Sequence, residues 1–124
     1  MKRKIFKKSL CFVLAIALLV TGISIVNTQK AKAATTVGSA ADYTVTAEEV
    51  SASSTKLTFN AASYAAYVIV HYKVNDGAQQ NVGMNGGNTK YELLVNGLKQ
   101  GDKITCSFTY NKGGCQYDSN EMTY

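Results

Sequence analysis

Residues 66–84, with the sequence AYVIVHYKVNDGAQQNVGM, decide the fold of this chain. Apolar and polar side chains alternate from Val68 to Val74, and the alternation resumes at Val82 and Met84 after the segment 75–77, Asn-Asp-Gly. A period of two is typical of a β-strand, and Asn, Asp and Gly favour tight turns. The stretch therefore predicts a β-hairpin with one buried and one solvent-facing side.

The register of this hairpin follows from keeping the apolar side chains on one face. A three-residue loop at 76–78 pairs Tyr72 with Val82, whereas a two-residue turn pairs Tyr72 with Asn81 and puts an amide into the core. Because a shift of one residue turns a whole strand over, the first register is predicted, with Gly83 opposite His71. The solvent-facing side then carries Tyr67, Ile69, His71, Lys73, Gln79, Asn81 and Gly83.

Short alternating strands separated by turns continue through residues 42–124. Turn-forming residues recur about every ten positions, at 75–77, 85–88, 96–97, 101–102 and 112–114. No stretch of this part shows the 3.6-residue period of a helix. The spacing predicts an all-β domain, a single antiparallel β-sandwich of the immunoglobulin or fibronectin type. Residues 34–41, which are small and polar, predict a flexible lead-in.

The first 33 residues have the order of a secretion signal. Five basic residues within positions 2–8 precede an apolar run from Leu10 to Val26, and Ala31 and Ala33 form a small-x-small cleavage site. The alternative is a retained membrane anchor, but the run is short for a membrane span and is interrupted by polar residues. We therefore expect a helical signal peptide at 1–33, its removal, and an extracellular domain that is not attached to a membrane after cleavage.

The positive charge of the chain belongs to this leader. Seven of the thirteen basic residues precede residue 34, which leaves six lysines against eight acids and a net charge of −2 for residues 34–124. A domain without a cationic excess is not typical of proteins that bind nucleic acids or anionic lipids. These classes of partner are set aside.

Two cysteines follow the leader, Cys106 and Cys115. If Tyr110 opposes Cys115 across a loop at 111–114, the two cysteines lie about 13 Å apart along the strands. A disulfide needs Cα atoms within about 7 Å. Free thiols are therefore favoured, and a disulfide stays open only if the strand pairing ends early and the chain folds back.

The hairpin and the C-terminal region together resemble a known family. The hairpin carries HY-x-VN-x-G-x-QQN at 71–81, the turn GL-x-x-GD follows at 97–102, and further matching residues lie at 108–110, 113–114 and 117–118. Over roughly residues 42–124 the chain resembles family 56 carbohydrate-binding modules, which are found attached to bacterial β-1,3-glucanases. The resemblance implies a β-sandwich that binds insoluble β-1,3-glucan without catalysis. Trp is a common sugar-stacking residue in such modules; since this chain has no Trp, stacking must fall to Tyr or His.

Binding of a glucan requires planar groups for the apolar ring faces and polar groups for the hydroxyls. Strand parity places Tyr43, Tyr72, Tyr91 and Tyr110 in the core. The predicted carbohydrate-binding residues are the remaining polar and aromatic side chains of the hairpin and of the last loop: Tyr67, His71, Lys73, Gln79, Asn81, Tyr117 and Asp118. For each of them the alternative is an ordinary surface residue.

The sequence contains no clear pattern of residues for catalysis or for metal binding. A glycosidase needs two carboxylates across a cleft, whereas Glu48 and Glu49 point to opposite faces of a strand. The segment 118–120, Asp-Ser-Asn, is more typical of a turn than of a calcium site. We therefore expect no enzyme, no cofactor and no metal. The sequence predicts a secreted, monomeric, non-catalytic protein that binds a polysaccharide of the β-1,3-glucan type; the alternative is a secreted structural or protein-interaction β-sandwich without sugar binding.

Overall fold

The computed structural model describes residues 32–124, in which all regular structure is β-strand. The strands are β1 (Thr35–Ala40), β2 (Tyr43–Ser51), β3 (Ser54–Ala61), β4 (Val68–Val74), β5 (Gln80–Gly83), β6 (Asn85–Gly87), β7 (Lys90–Val95), β8 (Ile104–Lys112), β9 (Cys115–Asp118) and β10 (Met122–Thr123). Within this part of the chain no helix has the length and apolar character needed to cross a bilayer. Residues 1–31 of the predicted signal peptide, which include Ala31, lie outside the described residues.

The strands form two antiparallel sheets of five strands each. The first sheet has the order β1-β2-β3-β7-β6. In the second sheet β5, β4 and β8 lie side by side, and β9 and β10 pair with β8, each at its own end of the strand. The predicted all-β sandwich is confirmed.

The core lies between the sheets and follows from the period-two pattern of the strands. Phe59 of β3 lies at its centre, with ring centroids 5.3 Å from those of Tyr43, Phe108 and Tyr110. Tyr91 is buried as well and donates its hydroxyl to the carbonyl of residue 65 at 2.7 Å. The described residues, 32–124, lie in one compact unit that holds this core, and a unit with its own hydrophobic core can be produced on its own.

Strand β1 differs from the expected flexible lead-in at residues 34–41. Thr35–Ala40 pair with β2, and Val37 packs against the core. A Cβ on Gly38 would lie 2.6 Å from the sulfur of Met122, so the missing side chain is what allows the two strands to approach. The composition gave no sign of this strand because its stability comes from pairing with an edge, not from its own side chains.

The β8–β9 hairpin corrects the expected spacing around the cysteines. Gly113 and Gly114 have φ values of 59° and 81°, which fit a two-residue turn, so Lys112 and not Tyr110 opposes Cys115. Cys106 is buried in the core and Cys115 is exposed. Both thiols are free, as the sequence favoured.

Candidate functional site

The β4–β5 hairpin has a register two residues away from the predicted one. Asn81 lies opposite His71, and Gly83 lies opposite Ile69. The shift is even, so both registers keep the same side chains in the core, and the hydrophobic pattern cannot distinguish them. The connection between the strands, residues 75–79, decides the register, because its first residue Asn75 has a φ of 55° and is held by the loop that precedes β8.

That anchor consists of hydrogen bonds from Asn75 to the 102–103 segment. Its Oδ1 accepts from the amide of Lys103 at 3.0 Å, and its Nδ2 donates to Asp102 Oδ1 at 2.9 Å. Asp102 also accepts from the amide of Lys99, at 2.8 Å. The hydrogen bond from Asn75 and then that from the Lys99 amide lower the pKa of Asp102 below its ordinary value. The loop is thus fixed from outside the hairpin.

With Asn81 beside it, His71 lies in the middle of a continuous row of hydrogen bonds. Its Nδ1 is 2.7 Å from Asn81 Oδ1, which also accepts from Gln79 Nε2 at 2.8 Å. Its Nε2 is 2.8 Å from Thr109 Oγ1, and that hydroxyl donates to Asp118 Oδ1 at 2.7 Å. The row runs across four neighbouring strands or strand ends, from Gln79 through β5, β4 and β8 to β9.

The direction of these hydrogen bonds follows from the donors available. An ionised Asp118 can only accept, so Thr109 gives its single hydroxyl proton to Asp118 and accepts from Nε2 of His71. Nδ1 then donates to Asn81 Oδ1 when the imidazole is charged. In a neutral imidazole Nδ1 must accept, which requires the Asn81 amide to turn and present its NH₂ group.

Thr109 is the member of this row that the sequence analysis missed. Its outward parity on β8 could be read from the sequence, but its proximity to His71 depends on the pairing of β4 with β8. In that pairing Ser107 lies directly opposite His71, and Thr109 lies two residues further along β8, opposite Ile69. No local pattern indicates which strand will lie beside β4.

Tyr67 and Lys73 lie at the two ends of the same surface. Tyr67 donates its hydroxyl to Gln116 Oε1 of β9 at 2.8 Å. Lys73 lines a shallow polar depression of about 360 Å³ together with Asp76 and Lys103. We call this surface the His71 face; it consists of Tyr67, His71, Lys73, Gln79, Asn81, Thr109 and Asp118.

Tyr117 is the one predicted site residue that the structure does not bring to this face. It pairs with Tyr110, whose side chain points into the sandwich, and the two rings stack with centroids 5.7 Å apart. The side chain is nevertheless 41% exposed, because β9 extends past the edge of the core. Six of the seven predicted residues therefore share the His71 face, and Tyr117 lies on the other side of β9.

A second cleft lies away from these residues. About 340 Å³ opens beside the 51–55 and 98–102 segments, with Ile104 and Tyr124 in its lining, and it contains none of the predicted site residues. In residues 32–124 no group of three or more His, Cys, Asp or Glu side chains is arranged to hold a metal ion. Because several hydrogen-bonded polar side chains converge on the His71 face, this face is a better candidate site than the cleft.

A comparison with protein families decides the class of this chain. Residues 45–119 match the profile of carbohydrate binding module family 56, and this range includes every residue of the His71 face. The chain belongs to that family. The family 56 module therefore has a sheet face of hydrogen-bonded polar side chains as its candidate carbohydrate site.

Solved structures agree with this assignment. The Br derivative of BhCBM56 is 36% identical, with a TM-score of 0.68 over 73% of this chain and 98% of its own. A family 56 β-1,3-glucan binding domain is 38% identical, with a TM-score of 0.59 over 68% of this chain and 99% of its own. A family 64 laminaripentaose-producing β-1,3-glucanase from Paenibacillus barengoltzii is 41% identical, with a TM-score of 0.59 over 68% of this chain but only 20% of its own. The match thus covers almost the whole length of the first two structures and only a fifth of the glucanase.

Proposed function

We propose that this module is an exported, non-catalytic protein that binds β-1,3-glucan through the His71 face. The ligand is supported by the similar structures, one of which is named as a β-1,3-glucan binding domain and another as a β-1,3-glucanase. Export is supported by the basic, apolar and small-x-small segments of residues 1–33.

The observation that carries the proposed binding face is the row of hydrogen bonds from Gln79 to Asp118. Each side chain is held by a neighbour, so little side-chain entropy is lost when a ligand arrives. With Asn81 Oδ1 facing His71, the row also leaves hydrogen-bonding capacity unused: one amide hydrogen on Gln79, both on Asn81, and the second oxygen of Asp118. A series of fixed donors and acceptors on an open strand face suits the repeated hydroxyls of an extended polysaccharide.

Tyr67 supplies the apolar contact that such a face needs. Its hydroxyl is fixed by Gln116, and the residue is 37% exposed at the end of the His71 face. Because the side chain has only two rotatable angles and one end is tied, the ring can serve as a preorganised surface for the C–H face of a sugar.

A depletion experiment with residues 32–124 tests this proposal. The domain is mixed with insoluble β-1,3-glucan, cellulose, chitin, xylan or starch, and the protein left in solution is measured. We expect depletion by β-1,3-glucan, and loss of that depletion in His71→Ala and Asn81→Ala. Asn60→Ala, on a strand of the first sheet, is the matched control and should bind as the parent does, with circular dichroism showing that all variants are folded.

Two results would contradict the proposal. If no polysaccharide depletes the folded domain, the alternative of a protein-interaction sandwich gains support. If depletion is unchanged in both hairpin variants, the ligand is bound at another surface. Export is tested separately by sequencing the N-terminus of protein recovered from the medium, which we expect to begin at Ala34.

A further inference from the structure

The side of β9 that faces away from the His71 face carries its own exposed aromatic ring. Asp118 and Gln116 point to the His71 face, where they bind Thr109 and Tyr67. Tyr117 lies between them in sequence and therefore points to the opposite side of the strand. An exposed tyrosine at that place has no part in the site described above.

The ring of Tyr117 is held rigidly by the core. Its centroid is 5.7 Å from that of Tyr110, with an angle of 25° between the ring planes. Tyr110 is only 5% exposed and contacts Phe59 and Tyr43 at centroid distances of 5.3 and 5.8 Å. Tyr117 is thus the surface end of the central aromatic cluster, and its orientation is fixed before any ligand binds.

A pair of opposite charges lies beside this ring. Lys112 Nζ is 5.7 Å from the centroid of Tyr117 and 2.6 Å from Asp42 Oδ1. Asp42 Oδ2 accepts from the hydroxyl of Tyr110 at 3.0 Å, which ties the pair to the aromatic cluster. The side chains of Lys112 and Asp42 are 39% and 29% exposed, so both can still reach a ligand.

Both groups stay charged at neutral pH. The hydrogen bonds from Lys112 and then from Tyr110 lower the pKa of Asp42, and the hydrogen bond to Asp42 raises the pKa of Lys112. An ammonium has three hydrogens and a carboxylate has several acceptor positions, so the ion pair leaves donors and acceptors free.

We propose that Tyr117, Lys112 and Asp42 form a second carbohydrate site, which takes a pyranose ring of the same polysaccharide and makes the module bivalent. The proposal rests on the proposed function of the His71 face. The ring of Tyr117 covers the apolar face of the sugar, and the ion pair binds hydroxyls at its edge. Because the two sites lie on opposite sides of β9, they engage two glucan strands.

The small size of the patch favours a sugar over a protein partner. A stable protein interface buries about 800 Å² on each side and has an apolar centre. The other exposed large apolar side chains of residues 32–124 are Val50, Tyr64, Tyr67 and Leu94, and neither of the two tyrosines among them stacks on the Tyr117 ring. One ring with an adjacent ion pair matches the area and the mixed polarity of a single pyranose.

Bivalency has a measurable consequence on an insoluble polymer. When two sites bind neighbouring strands, the second contact is intramolecular, and the apparent affinity can exceed that of either site by about a hundredfold or more. Loss of either site then weakens binding to the solid polymer by about a hundredfold or more.

The test is a titration of residues 32–124 with laminarihexaose for six proteins, measured by isothermal titration calorimetry and by backbone amide NMR shifts. We expect two hexasaccharides per parent domain, one for Tyr117→Ala, one for His71→Ala, and none for the double variant. Tyr117→Phe keeps the ring and should keep two. Tyr64→Ala removes a tyrosine that is 62% exposed in the β3–β4 loop. It is the matched control and, like the parent, should bind two hexasaccharides.

The outcomes separate this inference from the function on which it rests. One hexasaccharide per parent domain, lost in His71→Ala and unchanged in Tyr117→Ala, overturns the second site and leaves the proposed function intact. No binding of the hexasaccharide by any folded protein overturns the second site, and it overturns the proposed function as well if insoluble β-1,3-glucan does not deplete the parent domain. If Tyr117→Ala is unfolded, Lys112→Met removes the charge pair and keeps the ring, and retention of two sites at full strength in that variant overturns the inference.

Discussion

Tyr117 and Asp118 are adjacent in β9, yet their side chains lie on opposite faces of the second sheet. Asp118 accepts from Thr109 on the His71 face at 2.7 Å, whereas Tyr117 stacks on Tyr110. This follows from the period-two geometry of a strand, combined with the position of β9 at the margin of the core. One short strand therefore contributes to two different surfaces.

Thr109→Val should weaken β-1,3-glucan binding and leave the fold intact. The substitution keeps the shape of the side chain but removes the hydroxyl that links His71 to Asp118. A hydrogen bond contributes about 1 kcal/mol, and two are lost here. We expect an apparent affinity lower by about thirtyfold, since about 2 kcal/mol is lost in total and about 1.4 kcal/mol corresponds to a factor of ten. Binding isotherms on the insoluble polymer give the measurement.

The matched control for this change is Thr58→Val, which alters a buried threonine of the first sheet. It should bind as the parent does. Equal loss in the two variants would mean that the effect of Thr109→Val is one of general stability, and unchanged binding in Thr109→Val would mean that the row does not position the ligand.

Phe59→Ala should be the most destabilising single substitution among those considered. Phe59 is fully buried and its ring neighbours three other aromatic rings, so truncation leaves a cavity at the centre of the sandwich. A cost of about 3–5 kcal/mol in the free energy of unfolding is expected for such a change. Urea unfolding of residues 32–124 measures it. Leu94→Ala, at an exposed position, should change the same quantity by less than about 0.5 kcal/mol.

Asp42→Asn should lower stability at neutral pH but not in strong acid. Because Lys112 and then Tyr110 bind the carboxylate, the pKa of Asp42 in the folded state lies below its ordinary value of 3.8. The contribution to stability is therefore fully present above the unfolded value and disappears as the pH falls through the folded value. Thermal unfolding midpoints from pH 2 to 7 should converge for parent and variant at the acid end.

Asp76→Asn, in the exposed loop between β4 and β5, is the control for this pH series. A constant difference between parent and Asp42→Asn at every pH would show that the ionised carboxylate is not the stabilising group. A similar pH-dependent difference in Asp76→Asn would point to net charge instead of the specific ion pair.

The two thiols should react at very different rates. Burial, and to a lesser extent the charge of Glu121, raises the pKa of the Cys106 thiol to about 12, so almost none of it is thiolate at pH 8. Cys115 is exposed. A disulfide-exchange reagent should modify one thiol of residues 32–124 rapidly and the second only after unfolding, and Cys115→Ser should abolish the rapid phase. Two rapid equivalents, or none, would contradict the buried and exposed assignments.

The sequence predicted the faces of the hairpin but not the pairs across it. His71, Asn81 and Gln79 were assigned correctly to the outward side because an even shift of register preserves parity. Their mutual contacts were not predicted, since the choice between Gly83 and Asn81 opposite His71 depends on Asn75 and its bonds to Asp102 and Lys103. Those partners are nearly thirty residues away in the chain.

The sequence by itself determined the class of fold, the identity of the core side chains and the outward side of the hairpin, because a period of two and the positions of turn residues are local properties. The tertiary structure alone decided that Thr109 lies beside His71 and that residues 35–40 form a strand. It also decided that Asp118 lies on the His71 face and Tyr117 on the other side of β9. Each of these depends on which strands become neighbours and where a sheet ends, and pairing between distant segments is set by the packing of the whole sandwich.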